Sequence, residues 1–373
     1  MVLTSRPHGS SSLLSSRLPR RSILAAGALA APLGALGLSS GTARAADASF
    51  GLTPVEGSPW HDPDQRSVDF RFQAEGIQVF NPSVRVTLPE SYDSSPDRRY
   101  PVLLLLHGGF GMYLSWSGPE HGNAIELTRG HDLIVVMPDG GGGSFYSNAN
   151  HPLPGREAAW ETFIMDRVLP FVHANFRTDP ARMAIAGFSM GGWGALALGQ
   201  RYWGHFRSIS SYSGPSDCNP ATVDGLGVAA IIWAGPAADY MNYPATANPP
   251  GSTWGGELYP EIAKGYNPMD NIEKYRGKRL FLRAGTGDIL SAFAPLSGDQ
   301  SLLLDELRRN GENAWNSVQE AVVHATNDRF SAALEAAGIE HDYVYHPGRT
   351  HEWGLWRDSL EEDLPGMMAC LEA

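Results

Sequence analysis

Runs of apolar residues along the chain predict a series of β-strands. Residues 101–106 and 133–137 are apolar throughout, as strands buried on both faces must be. Residues 67–72 and 83–88 instead alternate apolar and polar side chains, a period that fits half-buried antiparallel strands. Shorter runs predict further buried strands at 183–186, 208–212, 279–283 and 343–345.

Helical patterns lie between and after these strands, at 161–174, 193–198 and 328–337. This alternation indicates an α/β fold with a mostly parallel central sheet and helices on both faces. One stretch, 215–269, interrupts the pattern with many Gly, Pro and Asn residues. Its aromatic residues favour a cap over a site; they include Trp233, Tyr240, Tyr243, Trp254 and Tyr259. We therefore expect one domain over 46–373 with a cap-like insertion at about 215–269.

The first 45 residues have the features of an export signal. Arg20 and Arg21 precede an apolar run at 23–38, and residues 43–45 (Ala-Arg-Ala) have the form of a signal-peptidase site. The paired arginines, followed by Ser-Ile-Leu, favour the twin-arginine route. Pro32 and several small residues make the run a poor membrane span, although an uncleaved anchor stays the alternative. We expect a protein that is secreted or held in the cell envelope, without stable membrane insertion.

Composition narrows the partners and ligands that the chain can have. It has 28 Lys and Arg against 40 Asp and Glu, a formal net charge of −12. The predicted leader holds five Arg and no acidic residue, so the remainder is still more negative and repels nucleic acid and anionic lipid. The only cysteines, Cys218 and Cys370, allow one disulfide without establishing it. Because no zinc-type ligand spacing occurs, we expect no structural metal.

The main candidate for chemistry is Gly-Phe-Ser-Met-Gly at 187–191, directly after the strand predicted at 183–186. A strand that enters Gly-x-Ser-x-Gly and continues into a helix is the sequence form of a nucleophile elbow. The turn is tight enough to require glycine on both sides, and it presents the serine hydroxyl at the positive end of the helix. Ser189 is therefore the candidate nucleophile, and the amide of Met190 is a candidate oxyanion donor.

A serine nucleophile needs a base, and the base needs an acid that fixes its tautomer. His351 is the preferred base because it follows the last predicted strand and a turn at 347–350. Two acids stay open on the residues alone: Asp288, directly after a buried strand, and Glu320, before the last predicted helix. The other downstream histidines lie in or beside regular elements and are expected to be structural or exposed: His324, His341 and His346.

Two glycine-rich segments also follow predicted strands. Residues 107–111 (His-Gly-Gly-Phe-Gly) have the form that supplies a second oxyanion donor, with Gly109 or Phe110 as the donating residue. Residues 139–144 lack the Lys-Ser/Thr of a phosphate loop and the spaced glycines of a dinucleotide fold. We therefore expect no nucleotide and no cofactor, and we interpret the second segment as a pocket wall. Phe110 and Ser144 are candidate substrate contacts.

These residues together resemble the secreted esterase D-like α/β-hydrolases, and most closely the actinobacterial trehalose mycolyltransferases of the antigen 85 type. The resemblance covers roughly residues 80–360 and implies an α/β-hydrolase fold. Residues 83–89 and 99–101 resemble the general esterase D pattern. More specific to the mycolyltransferases are Val136-Met137-Pro138, Ser144-Phe145-Tyr146-Ser147, Trp160-Glu161-Thr162-Phe163 and Thr350-His351-Glu352-Trp353.

The resemblance also implies residue roles. The family's acid is a Glu about ten residues before a Phe on the penultimate helix. Glu320 stands ten residues before Phe330 and is therefore favoured, with Asp288 second. Trp353, two residues after the histidine, matches a position that lines a sugar site. This chain departs from the family at 107–110, where the mycolyltransferases carry Asp-Gly-Leu-Arg, so acyl transfer is expected to survive and trehalose specificity is not.

We interpret the chain as an exported serine esterase or acyltransferase that acts on carboxylic esters, either lipids or acyl sugars. An acyl-enzyme on Ser189 would pass its acyl group to water, an alcohol or a sugar. Two alternatives stay open: a non-catalytic cell-wall-binding protein on the same fold, and a serine peptidase. The sequence indicates neither the acyl chain length, nor the acceptor, nor the oligomeric state.

Overall fold

A computed structural model describes residues 49–238, 247–288 and 302–373. Within these residues, ten strands form one sheet in the order β1-β3-β4-β6-β5-β7-β8-β9-β10, and β2 pairs with β3 outside that order. The strands are β1 (Leu52–Pro54), β2 (Trp60–Asp62), β3 (Ser67–Ala74), β4 (Ser83–Thr87), β5 (Tyr100–Leu106), β6 (Ile134–Pro138), β7 (Thr178–Phe188), β8 (Ser208–Tyr212), β9 (Arg279–Gly285) and β10 (Asp342–His346).

The sheet has a parallel part and an antiparallel part. Strand β6 pairs parallel with β5, and every neighbouring pair from β5 to β10 is parallel as well. The strands β1 to β4 pair antiparallel with one another, and β4 joins β6 antiparallel. The predicted mostly parallel sheet is confirmed. The carboxyl ends of β5, β7, β8 and β9 lie at one edge, which is where sites form in such sheets.

Helices lie on both faces of this sheet. Alternate residues of one strand belong to different cores: Leu104 and Ile185 pack in one hydrophobic cluster, and Leu103 and Ala184 in the other. This explains why the predicted parallel strands are apolar throughout. The helices are α1 (Ala124–Leu127), α2 (Trp160–Thr162), α3 (Leu169–Asn175), α4 (Met190–Arg201), α5 (Val223–Ala234), α6 (Glu261–Lys264), α7 (Leu303–Ala336) and α8 (Trp353–Glu372).

Two helical predictions differ from the structure in extent. The helix expected at 161–174 is built from α2, a π-helical segment Phe163–Val168, and α3. The helix expected at 328–337 corresponds to the C-terminal quarter of α7, which begins at Leu303. The earlier turns of α7 carry apolar side chains that stay exposed, such as Leu304 and Leu307, so an inward-facing apolar stripe does not mark them.

Strand β4 is fully buried rather than half-buried. Two of its polar side chains, those of Arg85 and Thr87, are buried in pairs with side chains of β3. Arg85 forms a bidentate ion pair with Asp69, with two N–O distances of 2.7 Å, and the hydroxyls of Thr87 and Ser67 lie 2.8 Å apart. In β4, therefore, the alternating polar residues mark side chains that pair inside the protein, and not side chains that face solvent.

The interrupting segment at 215–269 contains α5 and α6, and part of it packs into the core. Trp254 lies 6.4 Å from Trp193 and 5.6 Å from Tyr266 between ring centroids. The predicted leader, 1–45, and two of the expected cap aromatics, Tyr240 and Tyr243, lie outside the described residues.

Both cysteine thiols are unpaired, and that of Cys218 is buried, so the disulfide that the sequence allowed is not formed. Among the described residues, no helix combines the length and apolar character needed to span a bilayer. Over the same ranges, no group of three or more His, Cys, Asp and Glu side chains is arranged to hold a metal ion. All described residues fall within one compact unit, 44–373.

Candidate active site

Ser189 occupies the turn between β7 and α4. Its backbone has φ 54° and ψ −121°, a conformation that costs free energy in any residue with a Cβ atom. The Ser189 amide donates a hydrogen bond to the carbonyl of Tyr212 at 2.9 Å, which ties the turn to β8. The hydroxyl is thereby held beyond the carboxyl edge of the sheet, at the N-terminus of α4.

Two glycines allow the backbone to pack this closely around the serine. A Cβ atom on Gly187 would lie 2.4 Å from the carbonyl oxygen of Gly191. A Cβ atom on Gly191 would lie 2.4 Å from the carbonyl oxygen of Leu106, at the end of β5. Neither approach is possible for a larger residue unless the backbone moves, which explains the glycines of the elbow motif.

His351 contacts both the serine and an acid. Its Nε2 lies 2.7 Å from the Ser189 hydroxyl, and its Nδ1 lies 2.6 Å from Oε2 of Glu320. The ionised carboxylate can only accept, so Nδ1 carries the proton and Nε2 accepts from the hydroxyl. This is the tautomer that a base for Ser189 requires.

Glu320 lies on α7 and is 0% exposed. Its Oε1 accepts a hydrogen bond from the amide of Gly285 at 2.6 Å and another from the Ser213 hydroxyl at 2.7 Å. Oε2 is thereby left to face His351. Gly285 is the last residue of β9 and Ser213 directly follows the neighbouring strand β8, so the sheet edge itself positions the acid.

Asp288, the other acid that the sequence allowed, follows β9 in the chain. Its backbone carbonyl accepts a hydrogen bond from the Ser317 hydroxyl at 3.1 Å. The carboxylate that contacts Nδ1 of His351 is that of Glu320. The other three downstream histidines bond elsewhere: His324 with Tyr343, His341 with Ser331, and the carbonyl of His346 with the Thr286 amide.

The two expected oxyanion donors lie beside Ser189. Met190 is the first residue of α4, and Gly109 belongs to the loop after β5; both line the same cavity as Ser189. Over the described parts of the chain, neither amide has a hydrogen-bond acceptor. The amide of Phe110 donates to the carbonyl of Gly142 at 2.8 Å, which leaves Gly109 as the candidate donor of that loop.

His107 ties the two glycine-rich loops together. Its Nδ1 donates to the carbonyl of Gly108 at 2.7 Å, and its Nε2 accepts from the amide of Gly140 at 2.9 Å. Burial lowers the pKa of His107 to about 4, which keeps the ring neutral and able to accept. The hydroxyl of Tyr146 adds a bond to the His107 carbonyl at 2.7 Å.

The three predicted substrate contacts differ in placement. Phe110 lines the cavity and is 59% exposed. The Ser144 hydroxyl is used inside its own loop, where it donates to the carbonyl of Gly140 and accepts from the amide of Tyr146. Trp353 packs against Phe188, with 4.4 Å between ring centroids, and does not line the cavity.

A cavity of about 530 Å³ opens in front of Ser189 and His351. Beyond the catalytic candidates, its walls are mostly apolar and come from the interrupting segment and from α7. The wall residues that the sequence did not single out are Pro215, Gly227, Val228, Ile231, Ala234, Gly235, Trp315, Val318, Gln319, Val322, Val323 and Trp356. The pairs 228/231 and 318/322 have helical spacing, and that signal could have indicated these walls.

Residues 80–367 match the sequence model of the Esterase family, which is described as "Putative esterase". The match covers well over half of the chain. The chain belongs to the Esterase family. Within that family region lie Ser189, Glu320 and His351, together with both glycine-rich loops.

Named relatives agree with this assignment. Esterase Rv1288 of Mycobacterium tuberculosis (strain H37Rv) is 36% identical over 326 residues, which cover 86% of this chain and 62% of the relative. Ag85A of Mycobacterium leprae, named a diacylglycerol acyltransferase/mycolyltransferase, is 25% identical over 311 residues, covering 80% and 84%. The predicted resemblance to esterase D-like and antigen 85-type proteins is confirmed. The chain spans only 62% of the length of the esterase relative.

Solved structures support the fold. FphF of Staphylococcus aureus, a fluorophosphonate-binding serine hydrolase solved with substrate bound, aligns with a TM-score of 0.57. The alignment covers 81% of this Esterase-family chain and 98% of FphF, at 16% identity. At that identity the likeness concerns the fold alone. The predicted α/β-hydrolase fold is confirmed.

Proposed function

We propose that this chain is a serine-dependent carboxylic ester hydrolase or O-acyltransferase. The observation that supports it most directly is the hydrogen-bonded series Ser189–His351–Glu320, with contacts of 2.7 and 2.6 Å. A binding protein would have no need to bury a glutamate against a histidine that itself faces a serine in a strained turn. The order Ser, acid, His along the chain also agrees with this fold.

In the proposed reaction, the Ser189 hydroxyl attacks the ester carbonyl while Nε2 of His351 takes its proton. Negative charge develops on the carbonyl oxygen, where the amides of Met190 and Gly109 would stabilise it. Collapse of this intermediate breaks the ester bond, and His351 returns the proton to the departing alcohol. Water or another alcohol then attacks the acyl-enzyme by the same steps in reverse.

Glu320 would orient His351 and stabilise the imidazolium that forms in each step. It can do so because its second oxygen is already held by Gly285 and Ser213. No step requires a metal or an organic cofactor.

The apolar cavity supports an ester with an apolar acyl group as substrate. Val228 and Ile231 of α5 and Val318 and Val322 of α7 all line this space, and such walls favour acyl chains over charged groups. The relatives named esterase and mycolyltransferase both fit this chemistry, and the acceptor can be water, an alcohol or a sugar. We also propose export, which rests on the leader pattern at 1–45.

The experiment supplies the purified protein with p-nitrophenyl esters of two to sixteen carbons, with and without glycerol or trehalose, and identifies the products by mass. We expect ester cleavage, labelling of Ser189 by a fluorophosphonate, and loss of both in Ser189→Ala. The turnover loss should be roughly 10⁴-fold or more. An acylated glycerol or trehalose would identify a transferase, and free acid alone an esterase.

Two results would contradict the proposal. Wild-type protein that neither cleaves any ester nor takes the fluorophosphonate label would favour the non-catalytic binding protein. Amide analogues cleaved as fast as the matching esters would favour a peptidase.

A further inference from the structure

A second cavity, of about 220 Å³, lies outside the candidate active site. It lies among β2, β3, the β3–β4 connection, the residues just after the first glycine-rich loop and the first residue of the second. Its walls include Trp60, Arg71, Asn81, Tyr113 and Asp139. We call it the Trp60 cavity. None of these five residues lines the cavity at Ser189.

Aromatic surface is available in the Trp60 cavity. Trp60 lies on the short strand β2 and is 45% exposed, which is unusual for so large a side chain on a paired strand. Over the described ranges, its ring has no aromatic or cationic stacking partner. Tyr113, on a neighbouring wall, is half-buried. Flat faces of this kind bind the C–H face of a sugar ring through dispersion and apolar contact.

Two polar side chains on the other walls, those of Arg71 and Asn81, have hydrogen-bond donors that no described residue uses. Nε of Arg71 donates to the carbonyl of Asn81 at 3.3 Å, while its terminal nitrogens form no ion pair within the described residues. The side-chain amide of Asn81 likewise has no hydrogen-bond partner there. A guanidinium and an amide provide the planar, paired donors and acceptors that match adjacent hydroxyl groups.

Asp139 supplies an acceptor at the wall formed by the second glycine-rich loop. It is 6% exposed, and its two oxygens accept the amides of Ser83 and Tyr113 at 2.7 and 2.8 Å. Each carboxylate oxygen can accept a second hydrogen bond. Burial raises the pKa of Asp139 to about 6, so the carboxylate is ionised at neutral pH.

Charge and size together define the ligand class. One guanidinium and one carboxylate face the cavity, so the site has no net charge and does not favour a phosphate or a carboxylate ligand. The cavity volume of about 220 Å³ restricts the ligand to a small group such as a single sugar ring.

We propose that the Trp60 cavity is a carbohydrate-binding site that takes one neutral pyranose ring, stacked on Trp60 and hydrogen-bonded by Arg71, Asn81 and Asp139. The ring can be a free monosaccharide or a unit of a polysaccharide. This site is separate from the proposed ester chemistry, and its test does not depend on catalysis.

The test measures binding of the full chain to two kinds of probe. Native gels that contain dextran, mannan, xylan or mixed-linkage β-glucan report on polymers. Isothermal titration with glucose, galactose, mannose and arabinose reports on free sugars. Trp60→Ala, Arg71→Ala and Asn81→Ala remove the stacking face and the two donor groups. Trp203→Ala is the matched control, because Trp203 is 55% exposed and lines neither cavity.

We expect at least one probe to bind, and each cavity variant to weaken that binding tenfold or more while Trp203→Ala leaves it unchanged. Circular dichroism identifies any variant that fails to fold, and the remaining variants then decide. Retardation by a polymer that free monosaccharide relieves would identify a chain unit as the ligand, and titration by free sugar alone would identify the monosaccharide. The proposal is overturned if no probe binds, if folded cavity variants bind like wild type, or if Trp203→Ala is equally impaired.

Discussion

Two sides of the main cavity are built on different physical principles. The reacting side consists of Ser189, His351, Glu320 and the amides of Gly109 and Met190. Its side chains are buried or nearly so and are joined by hydrogen bonds of 2.6–2.7 Å. The acyl side consists of four aliphatic residues of α5 and α7, namely Val228, Ile231, Val318 and Val322.

No hydrogen bonds of this kind fix the four side chains of the acyl side. Ile231 is 47% and Val318 is 39% exposed, and their contacts with a ligand would be non-directional. Directional bonds fail when one atom is moved or replaced, whereas apolar contact changes in proportion to area. We therefore expect changes on the reacting side to affect every ester equally, and changes on the acyl side to alter chain-length preference only.

Among changes to the residues around Ser189, the largest effect is expected from the acid. Glu320→Gln would leave the shape intact but replace the acceptor of the His351 proton with a neutral amide, which favours the wrong tautomer. We expect kcat for p-nitrophenyl butyrate to fall roughly 10⁴-fold, by analogy with such changes in serine proteases. Asp288→Asn is the matched control and should lower kcat less than about tenfold. A larger loss in Asp288→Asn than in Glu320→Gln would reverse the assignment of the acid.

The elbow glycine comes next. Gly191→Ala would set a Cβ atom against the Leu106 carbonyl at 2.4 Å, so α4 or β5 must move. We expect the free energy of unfolding in urea to fall by about 3 kcal/mol, together with most ester turnover. Gly204→Ala is the control, since a Cβ atom there meets nothing within 4 Å. Equal stability of the two variants would show that the elbow tolerates the displacement.

The protonation of His107 makes the stability of the protein depend on pH. Its pKa is lowered to about 4 in the folded protein, so between pH 6.5 and 4 the unfolded chain binds a proton that the folded chain does not. Unfolding free energy must therefore fall as the pH falls through this range. From pH 7.5 to 5, wild type should lose about 2 kcal/mol more than His107→Gln, as measured by urea unfolding.

Asp139, on the neighbouring loop, gives a pH dependence of stability with the opposite sign. Its folded-state pKa is raised to about 6, so the folded chain holds the extra proton and unfolding free energy falls as the pH rises from 4 to 6. Asp139→Asn should therefore change the slope of unfolding free energy against pH in the direction opposite to the change caused by His107→Gln. Slopes that change in the same direction would contradict the assigned burial of one of these groups.

The smallest effect is expected on the acyl side. Val318→Asn would remove contact with about two methylene groups of a long acyl chain, at roughly 0.8 kcal/mol each. We expect kcat/KM for p-nitrophenyl dodecanoate to fall about tenfold, while that for the acetate stays within about twofold. Leu304→Asn is the control on the same helix, because Leu304 is 82% exposed and lies outside the cavity. A uniform loss across all chain lengths would remove the distinction between the two sides.

Much of the fold could be predicted because its signals are local. The parallel strands are continuous apolar runs, and the elbow is a contiguous motif with a strand before it and a helix after it. Strand β4 and the early turns of α7 were harder to predict. In β4, Arg85 and Thr87 are buried because Asp69 and Ser67 pair with them from β3. In α7, apolar residues such as Leu304 stay exposed.

The sequence predicted which residues form the candidate site better than it predicted the contacts among them. The sequence indicated Ser189 and His351, but it left the acid open until the family resemblance favoured Glu320. It also left open whether Gly109 or Phe110 would donate, which depends on a bond between Phe110 and Gly142. Ser144 was expected to touch substrate, but its hydroxyl bonds within its own loop.

The sequence by itself determined the strand pattern, the elbow with its two required glycines, and membership of a family, because each depends on neighbouring residues or on order along the chain. Only the tertiary structure decided which carboxylate meets His351, which amides stay unpaired and which helices wall the cavity. Glu320 is held by Ser213 and Gly285, residues 107 and 35 positions away. Contacts over such separations arise only when the sheet brings its strand ends to one edge, and no local pattern of residues encodes them.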